Sequence, residues 1–423
     1  MIQEGILSFL QAHPASKYQL AYSGGLDSHV LLHACAALQA QKPEHFQFAV
    51  IHIHHGLQAS AEAWAVHAQQ VCASLNLPLK IIYLNLQPVR GESLEAIARH
   101  ARYQAFSSCL AANEMLLTAH HQDDQAETFL LNAMRGSGGA GLAAMPTVRS
   151  LGLAQLGRPL LAFSRAQLEA YAASYQLDYV DDPTNADTQF DRNYLRHEIL
   201  PRLQTRWPAV KQTLSRVAMW QAEQQQVLEQ LLSRELLGFM GSRPHTLSAQ
   251  TLQTVDVFMQ KALIRYWLQH LGFALPAAKK LQHILSDVLA ASPDASPCVS
   301  WQACEVRRYR DDLYALKPSR PHDAKQVLVW EEWNQDLYIN SLGYSLSKEL
   351  LNPAIKQIAS TENLPLTIRF RQGGERLQRE QGYSLELKQL FQTAGIPPWE
   401  RERIPLLYLG DELRLVVGVY PQA

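Results

Sequence analysis

Three short segments combine residue types that could do chemistry. In Ser23-Gly24-Gly25-Leu26-Asp27-Ser28, two hydroxyls and a glycine pair lie between an apolar run and a helical one. A glycine pair lets the backbone approach a phosphate chain. Hydroxyls, main-chain N–H groups and the positive end of a helix dipole then favour an anion there. No G-x-x-x-x-G-K-[ST] occurs, so this is not a Walker loop, and a plain serine–glycine turn is the alternative. In Leu117-Thr118-Ala119-His120-His121-Gln122-Asp123-Asp124-Gln125-Ala126-Glu127-Thr128, Asp123 is expected to cap a helix. Asp124 and Glu127 then share one helical face. A carboxylate pair on a cleft rim suits a cation, either an ammonium group or magnesium. A capped helix with a solvated acidic first turn is the plainer alternative. His54-His55 and His120-His121 could supply metal ligands, although neighbouring side chains on regular structure diverge. In Asp182 to Arg196, turn residues lead into a helix carrying Arg192 and Arg196 one turn apart. Two guanidiniums on one face can clamp phosphate or a nucleic-acid backbone. Equally, they could be surface arginines paired with Asp191 or Glu198.

The elements around these segments read as an α/β array. Leu20-Ala21-Tyr22, Phe48 to Ile53, Leu79 to Leu84 and Met115 to Thr118 are short apolar runs of strand type. Glu62 to Asn76 and Glu92 to Ala112 carry apolar residues at helical spacing, and the helix after Asp123 is expected to stop at Gly136. Strands separated by helices imply a doubly wound parallel sheet with its ligand at the carboxyl ends of the strands. That topology puts the Ser23 loop, His52 to Gly56 and His120-His121 on one rim. Beyond about Pro208 the pattern changes. Val210 to Glu235 reads as a connector helix, Ala249 to Leu289 as further helix broken at Gly272 and Pro276, and Ala291 to Pro297 as a loop. Strand-like runs follow at Cys304 to Arg310 and Leu313 to Leu316. Lys317 to Pro321 reads as a linker. The remainder is strand-rich around a helical patch at Leu385 to Thr393.

Size and composition bound the function. A chain of 423 residues, 47% hydrophobic, is expected to fold as two or three domains. No apolar run approaches the roughly 20 residues of a membrane helix, and the N-terminus lacks signal-peptide character. Cys35, Cys72, Cys109, Cys298 and Cys304 form no C-x-x-C pair, which suggests free thiols in a reducing cytoplasm. A net charge of −1 carries no global nucleic-acid signature, so any basic surface must be local. One candidate holds Arg369, Arg371, Arg376, Arg379, Lys388, Arg401 and Arg403, diluted by glutamates, and a mixed-sign solvated surface is its alternative reading.

The hexapeptide resembles the pyrophosphate loop of PP-loop ATPases, of the adenine nucleotide alpha-hydrolase-like fold. Taken in order, the segments resemble one family within that superfamily, the bacterial tRNA(Ile)-lysidine synthetases. The matching pieces are Ser23 to Ser28, His54-His55-Gly56-Leu57, Glu95 to Tyr103, His120 to Thr128, Arg135-Gly136-Ser137-Gly138, Arg158-Pro159-Leu160-Leu161 and Asp182 to Arg196. Arg371-Gln372-Gly373-Gly374-Glu375 and Ile396 to Arg401 look like that family's C-terminal domain. The resemblance divides the chain into a catalytic domain at 1–210 and a connector helix at 211–236. A mostly helical middle domain at 237–325 and a C-terminal α+β domain at 326–423 would both bind tRNA.

The resemblance implies adenylation of the 2-carbonyl oxygen of the wobble cytidine in an isoleucine tRNA with a CAU anticodon. The amine of free lysine then displaces AMP and leaves lysidine. By the same resemblance, Ser23, Gly24, Gly25, Leu26, Asp27 and Ser28 bind the phosphates of ATP, with Asp27 near magnesium. Arg102 stabilises charge on the transferring phosphoryl group, a role for which Arg99 competes. His120, Asp124 and Glu127 bind or deprotonate lysine, and Arg192 and Arg196 hold RNA or the AMP moiety. A tRNA thiolase would need cysteines for sulfur relay, an amidotransferase an added nucleophile domain, and a catalytically silent RNA-binding protein no ATP loop. Oligomeric state is left open, a homodimer included.

Overall fold

The computed structural model describes residues 1–56, 61–84, 86, 94–292, 295–319, 322–351, 356, 358, 361, 364–378 and 384–420. Leu57, Glu92, Pro293, Asp294, Pro321 and Arg379, all used in the sequence reading, lie outside the described residues. The chain divides into two compact units, Met1–Glu229 and Gln230–Ala423.

In the first unit, α1 (Ile2–Ala12) precedes β1 (Lys17–Tyr22), α2 (Leu26–Gln41), β2 (Phe48–His54), α3 (Ala61–Ser74), β3 (Leu79–Tyr83), α4 (Leu94–Cys109), β4 (Glu114–Leu117) and α5 (Gln122–Met134). After a short α6 (Gly139–Leu142), β5 (Val148–Leu151) and β6 (Ala154–Gly157) form a hairpin, followed by α7 (Arg165–Ser174). Strand order is β3-β2-β1-β4-β6-β5. Pairing is parallel from β3 to β6, with Leu20 opposite both Val50 and Leu117. Only β5 runs antiparallel.

Alternation along the strands sends side chains to two separate cores. Leu20, Val50, Met115 and Leu117 pack with Ile6, Leu10, Val30, Leu31 and Leu168 from α1, α2 and α7. Ile51, Ile53, Leu116 and Leu156 pack instead with Phe106 of α4 and with Leu110. Helices therefore cover both faces, as the doubly wound reading expects. Chain order reverses at β1, between β2 and β4, so a crevice opens beyond the carboxyl ends of those strands.

The sequence reading has no counterpart for α1, α6, the β5–β6 hairpin or α7. The reading of Asp123 also needs correcting. The N-cap of α5 is His121, whose side chain accepts from Asp123 N, while Asp124 accepts in return from His121 N. The imidazole can act as the capping acceptor, so the helix starts before Asp123 and frees that carboxylate for other partners. At the far end, Gly136 adopts φ 72° and ends the helix as expected. Segment Asp182 to Arg196 becomes α8 (Asp191–Tyr194) running into a π-helical turn, Leu195–Ile199, before α9 (Leu200–Arg206). Pro201 has no N–H to donate, which favours a wider turn at this point. The long α10 (Val210–Glu235) follows.

The second unit begins with helices Val257–His270 and Ala278–His283, the latter continuing as a π-helix to Leu289, over an antiparallel sheet. That sheet has the order Leu247–Ser248, Asp312–Leu316, Cys304–Tyr309, Cys298–Trp301. Trp267, Leu263, Ile284, Val306 and Leu313 form its core. A six-stranded sheet follows, with helix Leu387–Thr393 packed on it through Leu387 and Phe391. Arginines bolt the parts carrying the four-stranded and six-stranded sheets together. Arg243 Nη2 donates to the carbonyls of Ala394 (2.9 Å) and Gly395 (2.8 Å), and Arg310 to that of Gln392. Arg401 donates to Ile396 O (2.8 Å) and to the Tyr309 hydroxyl (3.0 Å). Arg401 is buried, so the basic stretch offered for RNA loses one member to the fold. Lys388 and Arg376 are exposed.

Candidate active site

The loop between β1 and α2 is built by its own polar groups. Ser28 Oγ donates to Gly25 O (2.8 Å), accepts from Ser23 N (3.2 Å) and lies 3.1 Å from Ser23 Oγ. The serines therefore brace the turn. Gly24 sits at φ 91°, a conformation L side chains rarely adopt, and its carbonyl accepts from Val180 N (3.0 Å). Asp27 lies in the first turn of α2 and faces a cavity of about 730 Å³. The same cavity is lined by Ser23, Gly25, Leu26, Ser28, His52, His55, Arg99, Arg102, His120, Asp124, Glu127 and Arg196. The three segments expected on one rim do meet there.

Asp124 and Glu127, one turn apart on α5, are both buried, Glu127 to 1% exposure. Their partners are the two arginines from the turn segment. Arg192 donates from Nε to Glu127 Oε2 (2.7 Å) and from Nη2 to Asp124 Oδ1 (2.9 Å). Arg196 donates from Nε to Glu127 Oε1 (2.6 Å) and from Nη2 to both Glu127 Oε2 (3.0 Å) and Asp124 Oδ1 (3.2 Å). The plainer alternative for these arginines is thereby corrected. Asp191 pairs with Arg135 and Glu198 with Arg202 instead. Burial alone would raise the Asp124 carboxyl, but His121 and Arg192 outweigh it and hold the pKa at about 2.

The two histidines beside this cluster differ. Burial pushes His120 down to about 4 against the pull of Asp124, and Arg158, Arg192 and Arg99 push the same way. It is neutral, with Nδ1 2.9 Å from Thr118 Oγ1. His121 is buried too, which would lower it, yet Asp27, Asp124 and Asp123 surround it and its pKa is raised. His121 Nε2 lies 3.6 Å from Asp27 Oδ2 and 3.5 Å from Asp124 Oδ2, so it links the phosphate loop to the acidic pair. His55 is another neutral imidazole on the wall, lowered to about 4 by burial and by Arg102. Among the described residues no group of three or more His, Cys, Asp or Glu is arranged to hold a metal.

Two site residues were absent from the sequence reading. Arg165, first residue of α7, puts Nη1 2.7 and 2.6 Å from the two oxygens of Asp27. Lys211, on α10, reaches Asp123 Oδ2 at 2.5 Å, and Asp123 Oδ1 accepts from Arg165 N (3.1 Å). A signal for Arg165 existed: Ser164-x-x-Gln167 is a capping box that starts α7 and fixes Arg165 at its first position. Lys211 carries no comparable local mark.

A parallel sheet with a glycine-paired anion loop at its switch point, arginines around it and no Walker lysine defines a PP-loop ATPase domain. Comparison with protein families agrees: residues 1–203 match a PP-loop domain, 247–314 a TilS substrate binding domain and 366–422 a TilS substrate C-terminal domain. The chain is 41% identical over 421 residues to a tRNA(Ile)-lysidine synthase of Coxiella burnetii, covering 98% of this chain and 92% of that one. It is 40% identical to the protein of that name from Serratia proteamaculans, covering 95% of this chain and 90% of the other. Among solved structures it is similar to U34-tRNA thiolase NcsA from Methanococcus maripaludis, with 17% identity, 51% of this chain and 76% of that one covered, and a TM-score of 0.43. The chain belongs to the tRNA(Ile)-lysidine synthase family.

Proposed function

We propose that this cavity makes lysidine at the wobble cytidine of tRNA(Ile) with a CAU anticodon, using ATP and free lysine. The observation that carries the reading is one cavity joining the phosphate loop of Ser23 to Ser28 to the cluster of Asp124, Glu127, Arg192 and Arg196. In the first step the cytidine 2-oxygen attacks the α-phosphorus of ATP, and the bond to pyrophosphate breaks. In the second a lysine amine attacks C2, the C2–O bond breaks, and AMP leaves. Adenylation is needed because a pyrimidine carbonyl oxygen is otherwise a poor leaving group.

Each residue type suits a part of this scheme. Loop N–H groups and the start of α2 receive the phosphates. Arg102, which lines the cavity near enough to His55 to lower its pKa, faces charge that develops on the transferring phosphoryl group. Arg99 lines the same wall and shares that field. Magnesium commonly binds through one or two carboxylates with phosphates and water completing its shell, and Asp27, on the cavity wall at the phosphate loop, would supply one. The ion's contribution would be neutralisation of the departing pyrophosphate.

For lysine, capacity is the supporting argument. Asp124 and Glu127 each accept three hydrogen bonds from protein groups. A carboxylate offers about four acceptor sites, so each retains room for one ammonium N–H. Neutral His120 does not repel an incoming ammonium, and in the tautomer whose Nδ1–H donates to Thr118 Oγ1 its Nε2 can accept a proton. Arg192 and Arg196, held on edge by the carboxylates, extend their remaining donors to AMP or the RNA backbone. The segments matched as substrate-binding and C-terminal domains support a tRNA-gripping role for 237–325 and 326–423. Use of tRNA, ATP and lysine fits a cytoplasmic site of action.

The test is incubation of the chain with ATP, radiolabelled lysine and a CAU-anticodon tRNA(Ile) transcript, followed by nucleoside analysis. Label in lysidine, with AMP formed in equal amount, is expected. AMP formation that does not depend on tRNA would refute the scheme.

A further inference from the structure

The phosphate loop contains no cation of its own. Ser23 to Ser28 carry one anion, Asp27, and no Lys or Arg. A triphosphate brings several negative charges to this loop, so any protein cation that meets them comes from elsewhere in the fold. Arg165 is the group in position. Its Nη1 touches both oxygens of Asp27, while its Nε donates to Glu169 Oε1 (3.0 Å). Its backbone is fixed by the bond from its N to Asp123 Oδ1 (3.1 Å) and by the capping box of α7. The side chain is 37% exposed, lines the cavity, and its Nη2 makes no hydrogen bond among the described residues.

This arrangement is suited to exchange. The Asp27 side chain is 29% exposed, so its pairing with Arg165 is a partly solvated contact that an incoming charge can replace. A guanidinium offers five N–H donors in a planar fork that matches phosphate oxygens. Pivoting about the Glu169 contact would move the fork from the carboxylate to a phosphate without shifting α7. Building on the nucleotide reading above, we infer that Arg165 is the pyrophosphate-binding cation of this site. It neutralises Asp27 while the cavity lacks nucleotide and transfers to the β- and γ-phosphates when ATP enters.

Binding, measured calorimetrically on the full chain without magnesium, separates this role from a structural one. The ligands are ATP, inorganic pyrophosphate and AMP. The proteins are the wild type, Arg165→Gln, Arg165→Lys, Asp27→Asn and the Asp27→Asn/Arg165→Gln double variant. Loss of a charge-assisted phosphate contact should weaken ATP and pyrophosphate about tenfold or more in Arg165→Gln and leave AMP within about twofold. Arg165→Lys should recover part of the loss as a point charge. The same loss should persist when Asp27 is already neutral. If Asp27→Asn makes Arg165→Gln silent, Arg165 only screens the carboxylate and the inference falls. Equal weakening of AMP would also overturn it, because the defect would then be a distorted cavity. A wild type that binds neither ATP nor pyrophosphate would refute the nucleotide reading itself.

Discussion

Glu127→Gln tests the buried cluster most directly. The substitution keeps the volume of the side chain and removes its charge. Glu127 now accepts bonds of 2.7, 2.6 and 3.0 Å from two guanidiniums. A glutamine can accept through one oxygen only and points an NH₂ group at donors. Arg192 and Arg196 are then left facing Asp124 as their remaining carboxylate. Removing one partner of a buried ion pair costs about 3–5 kcal/mol. These guanidiniums are 30% and 35% exposed, so water relieves part of the loss and the lower end, about 3 kcal/mol, applies. For a unit the length of Met1–Glu229, that should lower the melting temperature by about 6–12 °C in scanning calorimetry. Kinetics supply the second readout. The Michaelis constant for lysine should rise about tenfold, corresponding to about 1.4 kcal/mol of lost ammonium binding, with that for ATP within about threefold. A melting temperature within about 2 °C of wild type, together with equal changes for lysine and ATP, would refute the reasoning. Glu127 would then belong with the phosphates.

Asp27→Ala should abolish AMP formation in a nucleotide assay while far-ultraviolet circular dichroism stays native, since Asp27 sits on a cavity wall outside both cores; near-normal turnover would remove it from the chemistry. Arg401→Ala should destabilise the second unit, measured by urea unfolding, by about 2–3 kcal/mol because a buried, doubly bonded guanidinium is lost. Its tRNA affinity should keep the wild-type salt slope, whereas loss of a phosphate contact by the exposed Lys388 in Lys388→Ala should flatten that slope by about one. The fourth prediction concerns acid stability. His120 has its pKa lowered from 6.5 to about 4, so the unfolded chain binds more protons between those values. Its contribution, about 3 kcal/mol, is complete above pH 6.5 and is lost as pH falls towards 4. His120→Gln should flatten the stability profile over that window, and an unchanged profile would count against a buried neutral imidazole.

The parts legible in sequence were local ones. A glycine pair between an apolar run and a helix, β-branched runs at Phe48 and Leu79, and the stop at Gly136 depend on neighbours a few residues away. Strands β5 and β6 gave weak signals because each is four residues long, whereas Ile2, Ile6, Phe9 and Leu10 of α1 do fall at helical spacing. The Asp123 cap was misplaced by one general preference, that of carboxylates for N-caps, when an adjacent imidazole could do the same work. What composition and periodicity could not show was which charge meets which. The bonds of Arg192 and Arg196 to Asp124 and Glu127 span 65 to 72 residues, and that of Arg165 to Asp27 spans 138. Family resemblance supplied roles for most of these residues without supplying their pairing.

The joint within the second unit has a consequence for how such a chain can change over time. Arg243 and Arg310 grip the main-chain oxygens of Gln392, Ala394 and Gly395, whereas Arg401 crosses to the hydroxyl of Tyr309. Carbonyl oxygens are present whatever side chains those positions carry. The contacts at 392–395 are thus indifferent to the side chains there, so long as the helix ends where it does. The sensitivity is concentrated in three arginines and Tyr309. Residues on the outer face of helix Leu387–Thr393, the exposed Lys388 among them, can therefore change without loosening the sheet beneath.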